Sequence, residues 1–260
     1  MTRSTSYQEY QNLAQVCKAT YAGPIRQSNL GYDSQRIVHG SFGRGYCRIF
    51  WRSDHVVIAF RGTRESVDWS ISNLKAFPVR LNDCGDNDIG VRVHRGFQRT
   101  LDFVDKSTGL RSLEAIWYHL TKEELLQRKL SIIGHSLGGA LAILFAVKLR
   151  YMYPSYVNAN LIEIVTFGSP AIGGSSFYKY YDDLHSRTVR IVNGSDAVPF
   201  TPPLWYRHVG KEIWLGERIK VEDLGWHRRL FYALNPFEIF SIVGDHSIES
   251  YINRLAENGA

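Results

Sequence analysis

No run of roughly 18 apolar residues occurs in the 260-residue chain, so no transmembrane helix is expected. The opening stretch, Met1 to Glu9, holds no apolar segment of the kind a secretory signal carries. No signal peptide is therefore expected, and the cytoplasm is the default compartment. Cysteine is scarce: Cys17, Cys47 and Cys84 are odd in number and widely spaced. They form no C-x-x-C or Cys/His cluster, so a zinc site is not indicated. Buried or idle thiols are the plain reading, and one disulfide is the alternative. Charge of one sign is not concentrated either. The net charge is +6, but the bases are scattered among acids, with no basic stripe that would speak for nucleic acid. A weak attraction to anionic lipid surfaces is the most this balance suggests. Gly43-Arg44-Gly45 lacks the third glycine of G-x-G-x-x-G, and no G-x-x-x-x-G-K-[ST] appears, which disfavours nucleotide binding. Repeats, low-complexity stretches and long linkers are also missing.

What is present is a chain of the length one α/β domain commonly fills, 44% apolar and able to bury a large core. Its most informative segment is Gly134-His135-Ser136-Leu137-Gly138, a G-x-S-x-G pattern. It lies between the apolar run Leu130 to Ile133 and an apolar helical run from Leu137 to about Arg150. A serine between a strand and a helix stands on a sharp turn, where it can act as a nucleophile. Gly134 and Gly138 allow the close backbone approach such a turn requires, and Gly139 relieves the same crowding. The hydroxyl of Ser136 is then expected to be exposed at the strand end. The amide of Leu137, at the positive end of a helix, is aimed at any oxyanion formed there. That helix is apolar on all sides, so it should be buried, and it should end before Pro154.

Along the rest of the chain, Tyr7 to Tyr21 has helical spacing, stopped by Gly23-Pro24. Arg36 to Phe50 suggests a hairpin with turns at Gly40 and Gly43 to Gly45. Val56 to Phe60, Leu161 to Phe167 and Val189 to Val192 read as buried strands beside Leu130 to Ile133. Gly96 to about Lys106, Ser112 to Leu126 and Ile248 to Leu255 read as helices, and Tyr206 to Leu215 alternates like an edge strand. Strands alternating with helices imply a mostly parallel sheet with helices on both faces. Ligands of such sheets bind at the carboxyl ends of the strands. Gly62, Ser136, Ser169 and Asp196 all follow strand ends and should gather on one rim.

A serine hydroxyl needs a base to take its proton, and the base needs a third group to orient it. In α/β-hydrolases the chain order is Ser, then acid, then His. Asp196, after the strand Val189 to Val192, fits the acid. Asp182 and Asp183 lie in a Tyr/Lys-rich helical stretch and read as solvated. Of the histidines that follow, His246 sits on a loop before the last helix and is chosen as the base. His208, inside a strand-like run, is second, and His227 belongs to a basic, surface-like cluster. The second oxyanion donor should come from the loop after an earlier strand, which places it at Thr63 in Phe60-Arg61-Gly62-Thr63.

Taken together these segments resemble the lipase class 3 family. The matching elements are Phe60-Arg61-Gly62-Thr63, Asp68-Trp69, Val93-His94-Arg95-Gly96-Phe97, Gly134 to Gly139, Thr166-Phe167-Gly168-Ser169-Pro170, Asp196-Ala197-Val198-Pro199 and Asp245-His246. Tyr206-Arg207-His208-Val209-Gly210, with Glu212 and Trp214, is similar to the family's segment before the catalytic His. The resemblance runs from about residue 40 to 251 and implies an α/β-hydrolase fold in one domain, residues 1–260. It implies carboxylic-ester hydrolysis without metal or cofactor, by Ser136, Asp196 and His246, with Thr63 and Leu137 as oxyanion donors. A triacylglycerol lipase is the leading expectation, acting on a lipid or small ester and touching a lipid interface transiently. Phospholipase A1, galactolipase and short-chain or phenolic-ester esterase are alternatives on the same scaffold. A non-catalytic hydrolase-like scaffold that binds lipid or protein is the alternative of a different class. The resemblance also adds secretion as an alternative compartment and a short lid at residues 64–77. Val67, Ile71 and Leu74 share one helical face there, which a lid or a fixed amphipathic helix would equally use. Residues 216–243 read as core by default, or as an acyl-site wall or a membrane-facing patch.

Overall fold

The structure, a computed structural model, describes residues 6–22, 27–40, 45–62, 77–85, 90–194, 196–202, 205–216 and 245–259. The segment 64–77 therefore lies outside the described residues except for Phe77, and 216–243 except for Gly216. The helix α1 (Tyr7–Ala19) opens with a capping box in which Ser6 and Glu9 satisfy each other's backbone amides. The strands β1 (Ser34–His39), β2 (Gly45–Arg52) and β3 (His55–Phe60) follow as an antiparallel meander. A small antiparallel pair, β4 (Pro78–Arg80) with β5 (Arg92–His94), leads into α2 (Arg95–Leu101) and then α3 (Ser112–Lys122). Next come β6 (Lys129–His135), α4 (Leu137–Met152), α5 (Pro154–Asn160), β7 (Leu161–Phe167), α6 (Ser175–Tyr181), β8 (Thr188–Asn193), β9 (Lys211–Leu215) and α7 (Ile248–Gly259).

Seven strands form one sheet in the order β1-β2-β3-β6-β7-β8-β9, parallel from β3 onward. Alternate residues of β3 divide between two cores. Val56, Ile58 and Phe60 pack with α2 to α6, while Val57 and Ala59 pack with α1 and α7. Helices thus cover both faces, which is why the central strands are near-continuous apolar runs. α4 is buried along its length from Leu137 to Leu149. Cys17, Cys47 and Cys84 are buried free thiols. No helix among the described residues is long and apolar enough to cross a membrane.

Several elements differ from their sequence expectations. The helix expected from Gly96 to about Lys106 stops at Leu101. The Asp105 carboxylate accepts hydrogen bonds from Ser107 Oγ, Thr108 N, Thr108 Oγ1 and His39 N, and this local turn competes with helix continuation. α3 ends at Lys122, with Glu124 at φ 54° soon after. The alternating stretch from Tyr206 enters the sheet only at Lys211, because Gly210 has φ 78° and breaks the extended run. The antiparallel pair β4–β5 and the helix α5 have too few residues to carry a periodic signal.

One group inside the buried α4 is charged. Lys148 is 2% exposed, and its ammonium donates to Asn82 Oδ1 at 2.7 Å, Asp102 Oδ1 at 2.7 Å and Asp83 Oδ2 at 3.1 Å. Arg111 also reaches both carboxylates. The cluster fastens the loop after β4 and the end of α2 to α4. Removing the ammonium leaves Asn82 Oδ1 without its donor and Arg111 as the remaining cation for the two carboxylates, which costs on the order of 2 kcal/mol. Lys148→Ala should lower the unfolding free energy by about that amount in urea titrations, and a loss no larger than that of an exposed lysine would contradict this reading.

Candidate active site

The tight turn after β6 is built on glycine. A Cβ on Gly134 would lie 2.1 Å from the Gly138 carbonyl oxygen, and one on Gly138 would lie 2.2 Å from the Phe60 carbonyl oxygen. The first turn of α4 therefore sits directly against the ends of β3 and β6. Ser136 takes up the turn with φ 59° and ψ −130°, a conformation that costs a non-glycine residue energy and persists only where its surroundings enforce it. Its amide donates to Phe167 O at 2.9 Å, and its carbonyl accepts from Gly139 N at 2.9 Å. The Leu137 amide lies in the first turn of α4, where a helix offers no acceptor of its own.

Asp196 follows β8, and its amide donates to Asn193 O at 2.9 Å. Its fully buried carboxylate accepts from Val198 N at 2.9 Å and from the Tyr251 hydroxyl at 2.5 Å. The ring nitrogen Nδ1 of His246 lies 3.0 and 2.9 Å from the two Asp196 oxygens. On the other side of the same ring, Nε2 lies 2.9 Å from Ser136 Oγ. Ser136, His246 and Asp196 are thus brought into one hydrogen-bonded line. Ser136 itself is 5% exposed rather than open to solvent. The neighbouring β3 end crowds it: a Cβ on Gly62 would stand 3.1 Å from the Ser136 Cβ.

The loop carrying His246 is held from two sides. Asn193, at the end of β8, donates through Nδ2 to Asp245 O at 2.9 Å and Ser250 Oγ at 2.8 Å. His135 Nε2 lies 2.7 Å from the His246 carbonyl oxygen. His135 is buried, and burial, helped by the neighbouring His246, pulls its pKa down to about 3. Tyr251, on α7, also accepts from Asn193 N at 3.2 Å. Burial and the adjacent Asp196 push its hydroxyl well above the ordinary phenol range.

The other residues singled out in the sequence have different places. His208 Nε2 meets the Pro199 carbonyl at 2.5 Å, and burial pulls its pKa down to about 3. It is a structural ring and is not brought to Ser136. Asp183 pairs with Arg150 at the surface. His94 caps α2 through Nδ1 and stacks on Phe97. Thr63, Asp68, Trp69 and His227 lie outside the described residues. Tyr251, Asn193, His135 and Tyr21 have direct or second-hand contact with the line, and their patterns alone did not mark them. The one available signal was the position of His135 inside the G-x-S-x-G segment. Among the described residues, no three His, Cys, Asp or Glu side chains gather to hold a metal ion.

A family model for lipase (class 3) matches residues 57–205, and the chain belongs to that family. Sequence relatives include phospholipase A1-II 2 of Oryza sativa subsp. indica, 30% identical over 183 residues, covering 63% of this chain and 45% of that protein. The lipase of Rhizomucor miehei is 30% identical over 162 residues, covering 62% of this chain and 41% of that protein. The chain spans less than half the length of these curated relatives. Among solved structures, Lip2 lipase from Yarrowia lipolytica superposes with a TM-score of 0.64 at 20% identity, covering 81% of this chain and 79% of that one. The fold is accordingly the α/β-hydrolase fold of these lipases.

The low pKa of His135 has a consequence for stability. In the unfolded chain a histidine titrates near 6.5, so between that value and about 3 the unfolded state binds a proton that the folded state does not. The stability contributed by the neutral ring is complete above about pH 6.5 and falls as the pH drops toward 3. At pH 5 the loss from this one residue is about 2 kcal/mol. Urea titrations at pH 7 and pH 5 should show it, and His135→Gln should flatten the dependence by that amount. A variant with the parent's pH slope would contradict the assignment.

Proposed function

We propose that the chain is a serine carboxylic-ester hydrolase with Ser136 as nucleophile, His246 as general base and Asp196 as the group that orients it. The hydrogen-bonded line from Asp196 through His246 to Ser136 Oγ carries this reading. Ser136 Oγ attacks the ester carbonyl while its proton passes to His246 Nε2. The Asp196 carboxylate, on Nδ1, holds the ring in the tautomer that leaves Nε2 free to accept. The tetrahedral oxyanion is met by the amide of Leu137, and we assign the second donor to Thr63, which directly follows Gly62. His246 then returns the proton to the leaving alcohol, giving an acyl-enzyme. Water, deprotonated by the same ring, releases the acid and regenerates the serine. Buried, preorganised donors stabilise the developing charge more than water would.

The substrate we propose is an acylglycerol, with residues 1–260 acting as one hydrolase domain and residues 64–77 covering the site. The lipase relative from Rhizomucor miehei supports that choice. The rice phospholipase A1 relative supports a second reading, hydrolysis of a phospholipid acyl ester. Ser136→Ala should reduce kcat on nitrophenyl esters by a factor on the order of 10⁵ to 10⁶ and abolish fluorophosphonate labelling, and Asp196→Asn should cost about 10⁴. Undiminished turnover by Ser136→Ala would overturn Ser136 as the nucleophile, and a parent chain with neither turnover nor fluorophosphonate labelling would be a non-catalytic scaffold. Chain-length profiling on triglyceride emulsions, phosphatidylcholine vesicles and dissolved short esters separates the substrate readings. Higher rates on emulsions mark a lipase, and higher rates on phospholipid vesicles mark a phospholipase A1.

A further inference from the structure

Two residues that take no part in the proposed proton transfers connect its two halves. Tyr21 follows α1 on the chain, far from the elbow in sequence. Its hydroxyl oxygen accepts from Gly62 N at 3.0 Å and lies 2.7 Å from His135 Nδ1. A backbone N–H can only donate and a backbone carbonyl can only accept, so the Tyr21 oxygen accepts from Gly62 N while His135 Nε2 donates to His246 O, which leaves Nδ1 of the neutral ring to accept the Tyr21 proton. His135 Nδ1 must then be the bare nitrogen. The proton of the neutral ring sits on Nε2, where it donates to His246 O at 2.7 Å. The order of protons along Gly62, Tyr21, His135 and His246 is therefore fixed in one direction.

The packing supports the same connection. A Cβ on Gly62 would fall 2.2 Å from the Tyr21 hydroxyl and 2.8 Å from the His135 carbonyl oxygen. No other residue type fits at position 62 while that hydroxyl stays in place. The rings of Tyr21 and His135 meet edge-on with centroids 5.8 Å apart, and those of His135 and His246 lie 4.9 Å apart. A charge on His135 would face the imidazolium that forms on His246 during acyl transfer. The tyrosine proton on Nδ1 opposes that charge, since a charged ring would need an acceptor where a donor now points.

We propose that Tyr21 and His135 are positioning residues that set the oxyanion-loop amide at Gly62 and the backbone of the base His246 in register with each other. The proposal rests on the hydrolase reading above. A displacement of about 1 Å in such a site can cost on the order of 10²-fold in rate. Loss of either residue should thus appear in kcat, while a dissolved short ester still binds much as before.

The test is kinetic, on nitrophenyl butyrate, with every kcat expressed per active site titrated by a fluorophosphonate so that misfolded protein is not counted. Tyr21→Phe should lower per-site kcat by roughly tenfold to a hundredfold with KM within about twofold. In His135→Gln the side-chain amide can still donate to His246 O, and this variant should keep more activity than His135→Ala. Both Tyr21 and His135 act through one chain, so Tyr21→Phe combined with His135→Gln should lose little more than the worse single variant. Per-site kcat within about twofold of the parent in Tyr21→Phe would overturn the proposal. So would losses that multiply in the double variant, and so would a loss of titratable sites at unchanged per-site kcat. Ser136→Ala is run in parallel: turnover surviving in that protein would remove the hydrolase reading itself, a result distinct from failure of the Tyr21–His135 connection.

Discussion

The contact between the first turn of α4 and the ends of β3 and β6 governs the geometry of this protein. Gly138 lies so close to the Phe60 carbonyl, and Gly134 to the Gly138 carbonyl, that neither position has room for a β-carbon. The helix can start there only if the residue between strand and helix takes a left-handed backbone, and that residue is Ser136. Its strain is balanced by hydrogen bonds to Phe167 and Gly139 and by a helix buried on every side as far as Leu149. A side chain mounted this way has little freedom to relax, which is the condition for preorganised chemistry. Loosening the contact would release Ser136 and withdraw the Leu137 amide together.

The parallel part of the sheet brings the remaining groups to the same place. Gly62 follows β3, Ser136 follows β6 and Asp196 follows β8, so three strand ends deliver three parts of the candidate site to one rim. His246 arrives differently, on the chain just before α7. A loop of that kind is adaptable but ill-defined, and here it is fixed through its main chain. Asn193 grips the Asp245 carbonyl and His135 grips that of His246. The imidazole itself is left to Asp196 and Ser136.

Much of this could be read from residue pattern. The strand, sharp turn and helix around Ser136 were visible because apolar runs of different period flank a glycine-rich pentapeptide. The buried strands stand out as β-branched runs, and the chain order of serine, acid and histidine points to Asp196 and His246, the residues that the structure brings to Ser136. What escaped has a physical reason. Tyr21 follows an ordinary amphipathic helix, Tyr251 lies in another and Asn193 ends a strand, and only tertiary packing turns their polar atoms toward the site. Lys148 was hidden in a helix that is otherwise apolar, because its partners Asp102 and Asn82 come from segments more than forty residues away. The over-long helix expected after Gly96 reflects a contest between helix periodicity and the Asp105 turn, which local propensity does not resolve.

The two histidines at the centre have unlike assignments although they lie side by side. His246 must gain and lose a proton in the proposed cycle, so its Nε2 faces a hydroxyl and its Nδ1 faces a carboxylate. His135 must not change charge, because a second cation 4.9 Å away would oppose protonation of its neighbour at the moment it is needed. Burial alone lowers the basicity of His135, but burial does not choose a tautomer. The His246 carbonyl does, because it can only accept from Nε2–H, and the Tyr21 hydroxyl then gives its proton to the bare Nδ1 while its oxygen accepts from Gly62 N–H. The Tyr251 hydroxyl plays a corresponding part at the far end: it occupies one Asp196 oxygen while Val198 N–H occupies the other. The carboxylate plane is thereby turned toward Nδ1. Two tyrosines from opposite ends of the chain, on or beside the helices α1 and α7 that pack together, thus complete the hydrogen bonding of His135 and of Asp196, the two groups that hold His246 from either side.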